Sequence, residues 1–220
     1  MTCIAAVRTL ARGAVLTVMV GSLAPAAAQA TPPPNILVIF GDDIGWMNVS
    51  SYGADSMGVS TPDIDRIGRE GLRLGAFYAQ PSCMAGRAAF LTGQLPVRTG
   101  LTTVGTPGSP AGLQKDDITL AEILKTRGYA TAQFGKNHLG DLDEHLPCRH
   151  GFDEFWGNLY HLSANEDPED PDRPATPEFR KKFDPRGIVS CTAGGPAKDE
   201  GPLTTESCGT TRRGSTCSST

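Results

Sequence analysis

The apolar residues of this chain occur in two patterns, short continuous runs and stretches with helical spacing. The continuous run 35–40, with the sequence NILVIF, is rich in β-branched residues and predicts a strand buried on both faces of a sheet. Helical spacing and end signals predict helices at 61–71 and 117–125, and a second buried strand is expected at 129–134. The alternation of strands and helices indicates an α/β sandwich around a mostly parallel sheet.

Residues 1–30 have the pattern of a secretory signal peptide. Two arginines form a positive region, an apolar core follows at 14–23, and the segment 26–30 ends in an A-x-A cleavage pattern. We therefore expect an exported chain, periplasmic or secreted, whose mature part begins near Thr31. Nothing later in the sequence is long and apolar enough for a membrane span.

Export permits disulfide bonds, and five of the six cysteines follow the signal: Cys83, Cys148, Cys191, Cys208 and Cys217. If Cys83 is modified or stays free, the other four can pair, but their spacing does not give the connectivity. The spacing also matches no zinc-binding pattern.

Composition narrows the function classes. The formal net charge is −4, so the chain has no basic footprint, which argues against nucleic acid as a partner. Residues 163–185 are rich in Asp, Glu and Pro and predict a solvated excursion. Residues 205–220 lack apolar periodicity and predict a disordered tail. Because the composition changes abruptly at the start of this tail, one hypothesis is that the tail is aberrant, for example through a shift of reading frame in the gene.

Two adjacent carboxylates, Asp42 and Asp43, directly follow the first predicted strand. Like charges repel and are costly to bury, and a bound divalent cation removes both problems. Carboxylate oxygens favour Ca²⁺ or Mg²⁺, and ligands collect beyond the carboxyl ends of strands in open α/β sheets. A solvated loop with Asp as turn former explains the pair equally well on this evidence alone.

A cysteine and an arginine lie one helical turn apart at 83–93, after a predicted short strand at 74–80. Cys83 is placed at a helix N-terminus, where backbone N–H groups favour negative charge, and Arg87 lies on the same helical face. This geometry suits chemistry on a tetrahedral oxyanion. An isolated C-x-x-x-R is short and common, so an ordinary thiol and a surface charge remain the alternative.

Lys136 and His138 follow the second predicted strand, two residues apart. Both side chains can project into one cleft if this segment stays extended. Lysine offers a point charge to an anionic oxygen, and histidine can exchange a proton near neutral pH. The alternative is that neither residue has a catalytic role: the lysine is an exposed loop residue and the histidine packs in the core. Three other histidines match no motif and stay unassigned: His145, His150 and His161.

Four motifs, taken in order, resemble those of the type I sulfatases. They are the strand with its aspartate pair at 35–46, C-x-(P/A)-x-R with its L-T-G ending at 83–93, G-K-x-H-L-G at 135–140, and H-G-F-D-x-F-x-G at 150–157. The resemblance covers 35–204 and departs from the common pattern at Ala85, Gly86 and Asn137. The aromatic residues of the last motif are expected to pack in the core.

The resemblance implies the N-terminal portion, 31–204, of an arylsulfatase-like catalytic domain with the alkaline-phosphatase-like α/β/α fold, truncated relative to an intact sulfatase roughly two to three times longer. A maturation enzyme would convert Cys83 to formylglycine, whose hydrate attacks the sulfur of a small-molecule or saccharide sulfate ester. Arg87, Lys136 and His138 would act on the sulfate and the nucleophile. Asp42, Asp43 and the oxidised Cys83 would face Ca²⁺, with Mg²⁺ as the alternative.

Two other functions remain open from the sequence. Phosphatases and phosphonate hydrolases share this scaffold, although they commonly use Thr or Ser where Cys83 stands. A non-catalytic fragment is the third possibility, because the later metal and sulfate ligands of the family have no counterpart in this chain, and two carboxylates rarely hold Ca²⁺ tightly.

Overall fold

The computed structural model describes residues 32–53, 56–161, 164 and 170–201. The chain divides into two compact units, 1–41 and 42–220, and all the described helices and strands belong to the second. The predicted signal peptide and C-terminal tail lie outside the described residues.

In the first unit, residues 32–41 have no regular secondary structure. The side chains from Ile36 to Phe40 are between 46% and 84% exposed. The predicted buried strand at 35–40 is therefore wrong for this structure. β-Branched residues favour an extended backbone, but a strand also needs a hydrogen-bonded neighbour, and the sheet of the described residues is built from other segments. The strand predicted at 74–80 is wrong for the same reason, since that segment is also irregular and exposed.

Six short α-helices lie in the described part of the second unit: α1 (Ser50–Gly53), α2 (Pro62–Glu70), α3 (Cys83–Thr92), α4 (Pro96–Thr99), α5 (Leu120–Lys125) and α6 (Pro177–Phe183). Three 3₁₀ turns accompany them, at Trp46–Asn48, Asp143–His145 and Pro147–Arg149. The last α-helix lies inside the stretch that was predicted to be only a solvated excursion.

The helix predicted at 61–71 is confirmed as α2, with Pro62 at its first position. The hydroxyl of Thr61 does not cap the backbone; it bonds to the side chains of Ser50 and Asp65 and so ties α2 to α1. The apolar residues Ile64 and Ile67 are exposed, so this helix is held by polar contacts rather than by a buried stripe.

The helix predicted at 117–125 forms later, as α5, because its N-terminal signal lies at Thr119. The Thr119 hydroxyl accepts from the Glu122 N–H at 3.2 Å, and the Glu122 carboxylate accepts from the Thr119 N–H at 2.7 Å. This is a complete capping box. Thr119 is buried and also donates to the His150 carbonyl at 2.7 Å, which anchors the start of α5 to the distant H-G-F-D segment.

The sheet of the described residues has four strands in the order β1 (Ala132–Phe134), β2 (Glu154–Gly157), β3 (Ile188–Thr192) and β4 (Lys198–Gly201). Strand β1 pairs with β2 in parallel, whereas β2 with β3 and β3 with β4 are antiparallel. The fold is α/β with a mixed sheet, of which one pairing in three is parallel. The strand expected at 129–134 is shorter than predicted, and it lies at a sheet edge with Phe134 exposed.

Two clusters of buried side chains form the core. One surrounds β2 and β3 and comprises Leu146, Cys148, Phe155, Leu159, Tyr160, Ala164, Val189 and Cys191. It contains a disulfide between Cys148 and Cys191, which settles one pairing that the sequence left open. The other cluster packs α3 against the loop after α4 and against Leu139, through Met84, Ala88, Leu101 and Leu113.

The second cluster matters for function, because Leu139 directly follows the K-x-H segment. Leu113 also donates its N–H to the Leu139 carbonyl at 2.8 Å. Packing therefore brings the start of α3 and the segment after β1 to one place. Among the described residues, no helix has the length and apolar character needed to cross a membrane.

Candidate active site

The candidate site begins at the N-terminus of α3, where Cys83 is the first helical residue. Ser82 caps the helix by accepting the Ala85 N–H with its hydroxyl at 3.4 Å. Cys83 is half-buried and is the one free thiol in the described part of the chain. A side chain here lies beside the unpaired N–H groups of the first turn, which favour negative charge.

Arg87 lies one turn further along α3, on the face that carries Cys83. Its side chain is buried and reaches across to the segment after β1, where Nη1 donates to the Lys136 carbonyl at 2.6 Å. Its Nη2 lies 3.7 Å from Oδ1 of Asp42. The arginine thus joins the helix, the lysine segment and the aspartate.

Asp42 receives a second cation, since its Oδ2 lies 2.6 Å from Nζ of Lys136. Partial burial acts to raise the pKa of Asp42, but the hydrogen bond and charge of Lys136, with the charge of Arg87, outweigh it and hold the pKa below its usual value. The carboxylate is therefore ionised. Two cations against one carboxylate leave a positive charge in excess, which favours an anionic group at this place.

His138 is almost completely buried and hydrogen-bonds through Nε2 to the Gly105 carbonyl at 3.0 Å. Burial lowers the pKa of its ring, and the charges of Lys136 and Arg87 act in the same direction against the opposing effect of the Gly105 bond. The ring is neutral near pH 7. Because a carbonyl can only accept, Nε2 carries the proton and Nδ1 carries a lone pair.

Backbone strain marks the same place. Among the described residues, two that are not glycine have positive φ: Asp43 at 55° and His138 at 52°. Such conformations cost free energy for L residues and cluster at functional sites. Both belong to the set of residues that the sequence selected.

The metal-ligand set is only partly assembled. Asp43 is exposed and makes no side-chain hydrogen bond or ion pair with the described residues. In the described part of the chain, no group of three or more His, Cys, Asp or Glu side chains can hold an ion, whereas Ca²⁺ takes six to eight oxygens. An ionised Asp42 beside Asp43 suits a hard cation chemically, so the two residues fit as part of a ligand set and not as all of it.

Sequence reasoning missed three contributors to the site: Gly105, Asp141 and Tyr160. The Gly105 carbonyl accepts from His138, the ring of Tyr160 lies edge-on to that histidine, and Asp141 accepts from Tyr160. A glycine in a loop and an aspartate after a motif carry no periodic signal, and their contacts join residues 19 to 33 positions apart in sequence. Of the aromatic residues of the H-G-F-D motif that were expected in the core, Phe155 packs there, whereas Phe152 and Trp156 are only half-buried.

The family follows from a comparison of the whole sequence with known families. The model of the family described as "Sulfatase" matches residues 34–190, which is more than half of the chain. This chain belongs to the sulfatase family. The sulfatase match includes every residue of the candidate site.

Individual sulfatases are similar to about two thirds of this chain. Bovine arylsulfatase A is 48% identical over 139 residues, which cover 61% of this chain and 27% of that protein. Mouse steryl-sulfatase is 42% identical over 168 residues, covering 66% and 26%. The chain thus spans about a quarter of the length of the curated sulfatases that it matches.

A solved sulfatase structure has a similar fold. The crystal structure of the PsFucS1 sulfatase from Pseudoalteromonas sp. superposes with a TM-score of 0.62 at 33% identity, covering 74% of this chain and 34% of that one. The alkaline-phosphatase-like α/β fold expected from the sequence agrees with this likeness. Sulfatases generally use a divalent cation and a formylglycine.

Proposed function

We propose that this chain carries the nucleophile half of a sulfuric ester hydrolase site. Family membership supports the reaction class, and one observation carries the proposal: Arg87, Lys136 and Asp42 form one charge cluster a helical turn from Cys83. The cluster has excess positive charge beside a helix N-terminus, and both favour a bound sulfate group.

Cys83 is the proposed site of the formylglycine. Oxidised by a maturation enzyme, it would supply a hydrated aldehyde, one hydroxyl of which attacks sulfur and expels the alcohol while the other later releases sulfate by reverting to the aldehyde. The half-buried position of Cys83, outside the disulfide, is compatible with such a modification of the unfolded or newly exported chain.

Arg87 and Lys136 are proposed to hold the oxygens of the sulfate group. Arg87 is fixed by its bond to the Lys136 carbonyl, so its position is set before substrate arrives. Preorganised cations of this kind stabilise charge that develops in the transition state without reorganising. Lys136, now paired with Asp42 at 2.6 Å, can turn its ammonium toward a sulfate oxygen in the same place.

His138 is proposed to accept the proton of the attacking hydroxyl. Its Nε2 is engaged by the Gly105 carbonyl, so the acceptor atom is Nδ1, which is buried and has no hydrogen-bond partner among the described residues. A neutral imidazole is the correct state for this role. Burial lowers the pKa of His138 and so favours the neutral ring near pH 7.

Asp42 and Asp43 are proposed to contribute oxygens to a divalent cation, Ca²⁺ or Mg²⁺, together with ligands beyond the described residues. Bound there, the cation would act as a Lewis acid on a sulfate oxygen. The proposed location is outside the cytoplasm, periplasmic or secreted. The Cys148–Cys191 disulfide supports export, because such bonds persist in oxidising compartments.

The test is turnover of an aryl sulfate by the chain expressed with a formylglycine-generating enzyme and supplied with Ca²⁺. We expect sulfate release that exceeds release of phosphate from the matched aryl phosphate and that disappears in Cys83→Ala. Equal or greater phosphate release would favour a phosphatase instead. No release of either anion from a cooperatively folded, formylglycine-bearing chain would contradict the proposal and favour a non-catalytic role.

A further inference from the structure

The ring of His138 has three neighbours from different parts of the chain: the Gly105 carbonyl, the ring of Tyr160 and the ring of His161, whose centroid lies 5.8 Å away. Its Nε2 lies 3.0 Å from the Gly105 carbonyl, in the loop after α4. Its ring and that of Tyr160 form a T-shaped pair, with centroids 6.3 Å apart and planes at 71°. Tyr160 itself is buried, beyond the end of β2.

The ring of Tyr160 and the loop that carries Gly105 are both tied to one carboxylate. The Tyr160 hydroxyl donates to Oδ2 of Asp141 at 2.5 Å. The same Oδ2 accepts the N–H of Gly108 at 2.8 Å, three residues after Gly105. Asp141 therefore anchors the loop that supplies the Gly105 carbonyl and bonds the hydroxyl of the Tyr160 ring.

Packing alone does not explain why an aspartate is buried at position 141. It is 8% exposed, and its Oδ1 has no hydrogen-bond partner among the described residues. A buried carboxylate with an unsatisfied oxygen costs free energy, and an apolar side chain would avoid that cost. Burial and the neighbouring Asp141 both raise the pKa of Tyr160, so its hydroxyl stays a donor at any ordinary pH.

We propose that Asp141 and Tyr160 are positioning residues that set the tautomer of His138, keeping the proton on Nε2 and the lone pair on Nδ1. A neutral imidazole has two tautomers, and the hydrogen bond at one nitrogen decides which is present. Here that bond is to Gly105, and Asp141 holds Gly105 in place through Gly108. The catalytic consequence rests on the proposed role of His138 as proton acceptor; the tautomer itself does not.

The direct test is ¹⁵N NMR of the intact chain labelled at histidine, which distinguishes a protonated ring nitrogen from a bare one. We expect His138, assigned by its loss in His138→Gln, to carry its proton on Nε2 in the wild type. In Tyr160→Phe and in Asp141→Asn we expect a mixture of tautomers or a shift of the proton to Nδ1. Tyr78→Phe and Asp116→Asn make the same chemical changes at exposed positions and serve as matched controls.

His150 provides an internal reference, because its Nε2 bonds the Glu144 carbonyl at 3.0 Å, away from the substituted residues. Its signal should stay that of an Nε2-protonated ring in every folded variant. Should Asp141→Asn unfold, Tyr160→Phe decides the matter, since it keeps the aromatic ring and removes one hydroxyl. A proton on Nδ1 of wild-type His138, or an unchanged tautomer in folded Tyr160→Phe, would overturn the proposal.

Kinetics with an aryl sulfate supply the second readout. Loss of the correct tautomer should lower kcat about tenfold or more and leave KM within about twofold, because proton transfer is affected and sulfate binding is not. An altered tautomer with an unchanged kcat would remove the catalytic role of the pair. If the chain releases no sulfate at all, the proposed function fails, while the NMR result still decides the tautomer claim.

Discussion

Removing the Cys148–Cys191 disulfide should destabilise the chain strongly, and the structure gives the magnitude. The two cysteines are 43 residues apart in sequence. In the chain-entropy description, a cross-link that closes a loop of this length contributes about 4 kcal/mol to the free energy of unfolding. Single domains are usually stable by only about 5–15 kcal/mol, so this is a large part of the total.

The assay is urea unfolding of Cys148→Ala/Cys191→Ala, followed by far-ultraviolet circular dichroism. Two comparisons separate the cross-link from packing: the wild type reduced by a thiol keeps both buried sulfurs, and Cys83→Ala removes a thiol that lies outside the bond. We expect the double variant and the reduced wild type to lose similar free energy, and Cys83→Ala to lose little. A double variant within about 1 kcal/mol of the oxidised wild type would refute the reasoning.

Three further predictions concern the cap, the buried histidines and the charge cluster. Thr119→Ala should lower the unfolding free energy by about 1–2 kcal/mol in urea, since it removes the α5 cap and the bond to the His150 carbonyl. Burial lowers the folded-state pKa values of His138 and His150, so the unfolded chain binds more protons than the folded one. The contribution of these histidines to the free energy of unfolding should be full above about pH 6.5 and should be lost as the pH drops through the folded-state pKa values. Equal urea midpoints at about pH 7.5 and about pH 5 would contradict this. Lys136→Met should reduce kcat/KM for an aryl sulfate about a hundredfold. The control Lys125→Met breaks a more exposed ion pair, with Asp153, and should leave kcat/KM unchanged. A value of kcat/KM for the Lys136 variant within about threefold of wild type would count against the proposed role of the lysine charge.

The local signals predicted helices better than strands. The start of a helix is marked by a few adjacent residues. Thr61 with Pro62 marks the start of α2, and Thr119 with Glu122 marks the start of α5. A strand depends on a partner distant in sequence, and apolar composition does not supply one. The segments 35–40 and 74–80 have the composition of strands but are irregular in the structure, because they have no partner strand among the described residues.

The candidate site was partly predictable for a similar reason. Arg87 in α3, Lys136 after β1 and Asp42 after the irregular segment 32–41 each belong to a local motif, and the fold brings the three side chains into contact. Asp141 and Tyr160 were not predicted, because a single buried hydrogen bond between loop residues leaves no pattern in a sequence. Long-range pairing of this kind becomes visible only when the chain is folded.

The central claim is that Cys83 becomes an aldehyde beside the Arg87–Lys136–Asp42 cluster. Mass spectrometry of the tryptic peptide 74–87, from chain co-expressed with a formylglycine-generating enzyme, tests it most directly. We expect a peptide in which oxygen replaces sulfur and two hydrogens are lost, and which reacts with an aldehyde-specific hydrazide. A fully retained thiol at Cys83, while a control sulfatase in the same cells is converted, would contradict the account.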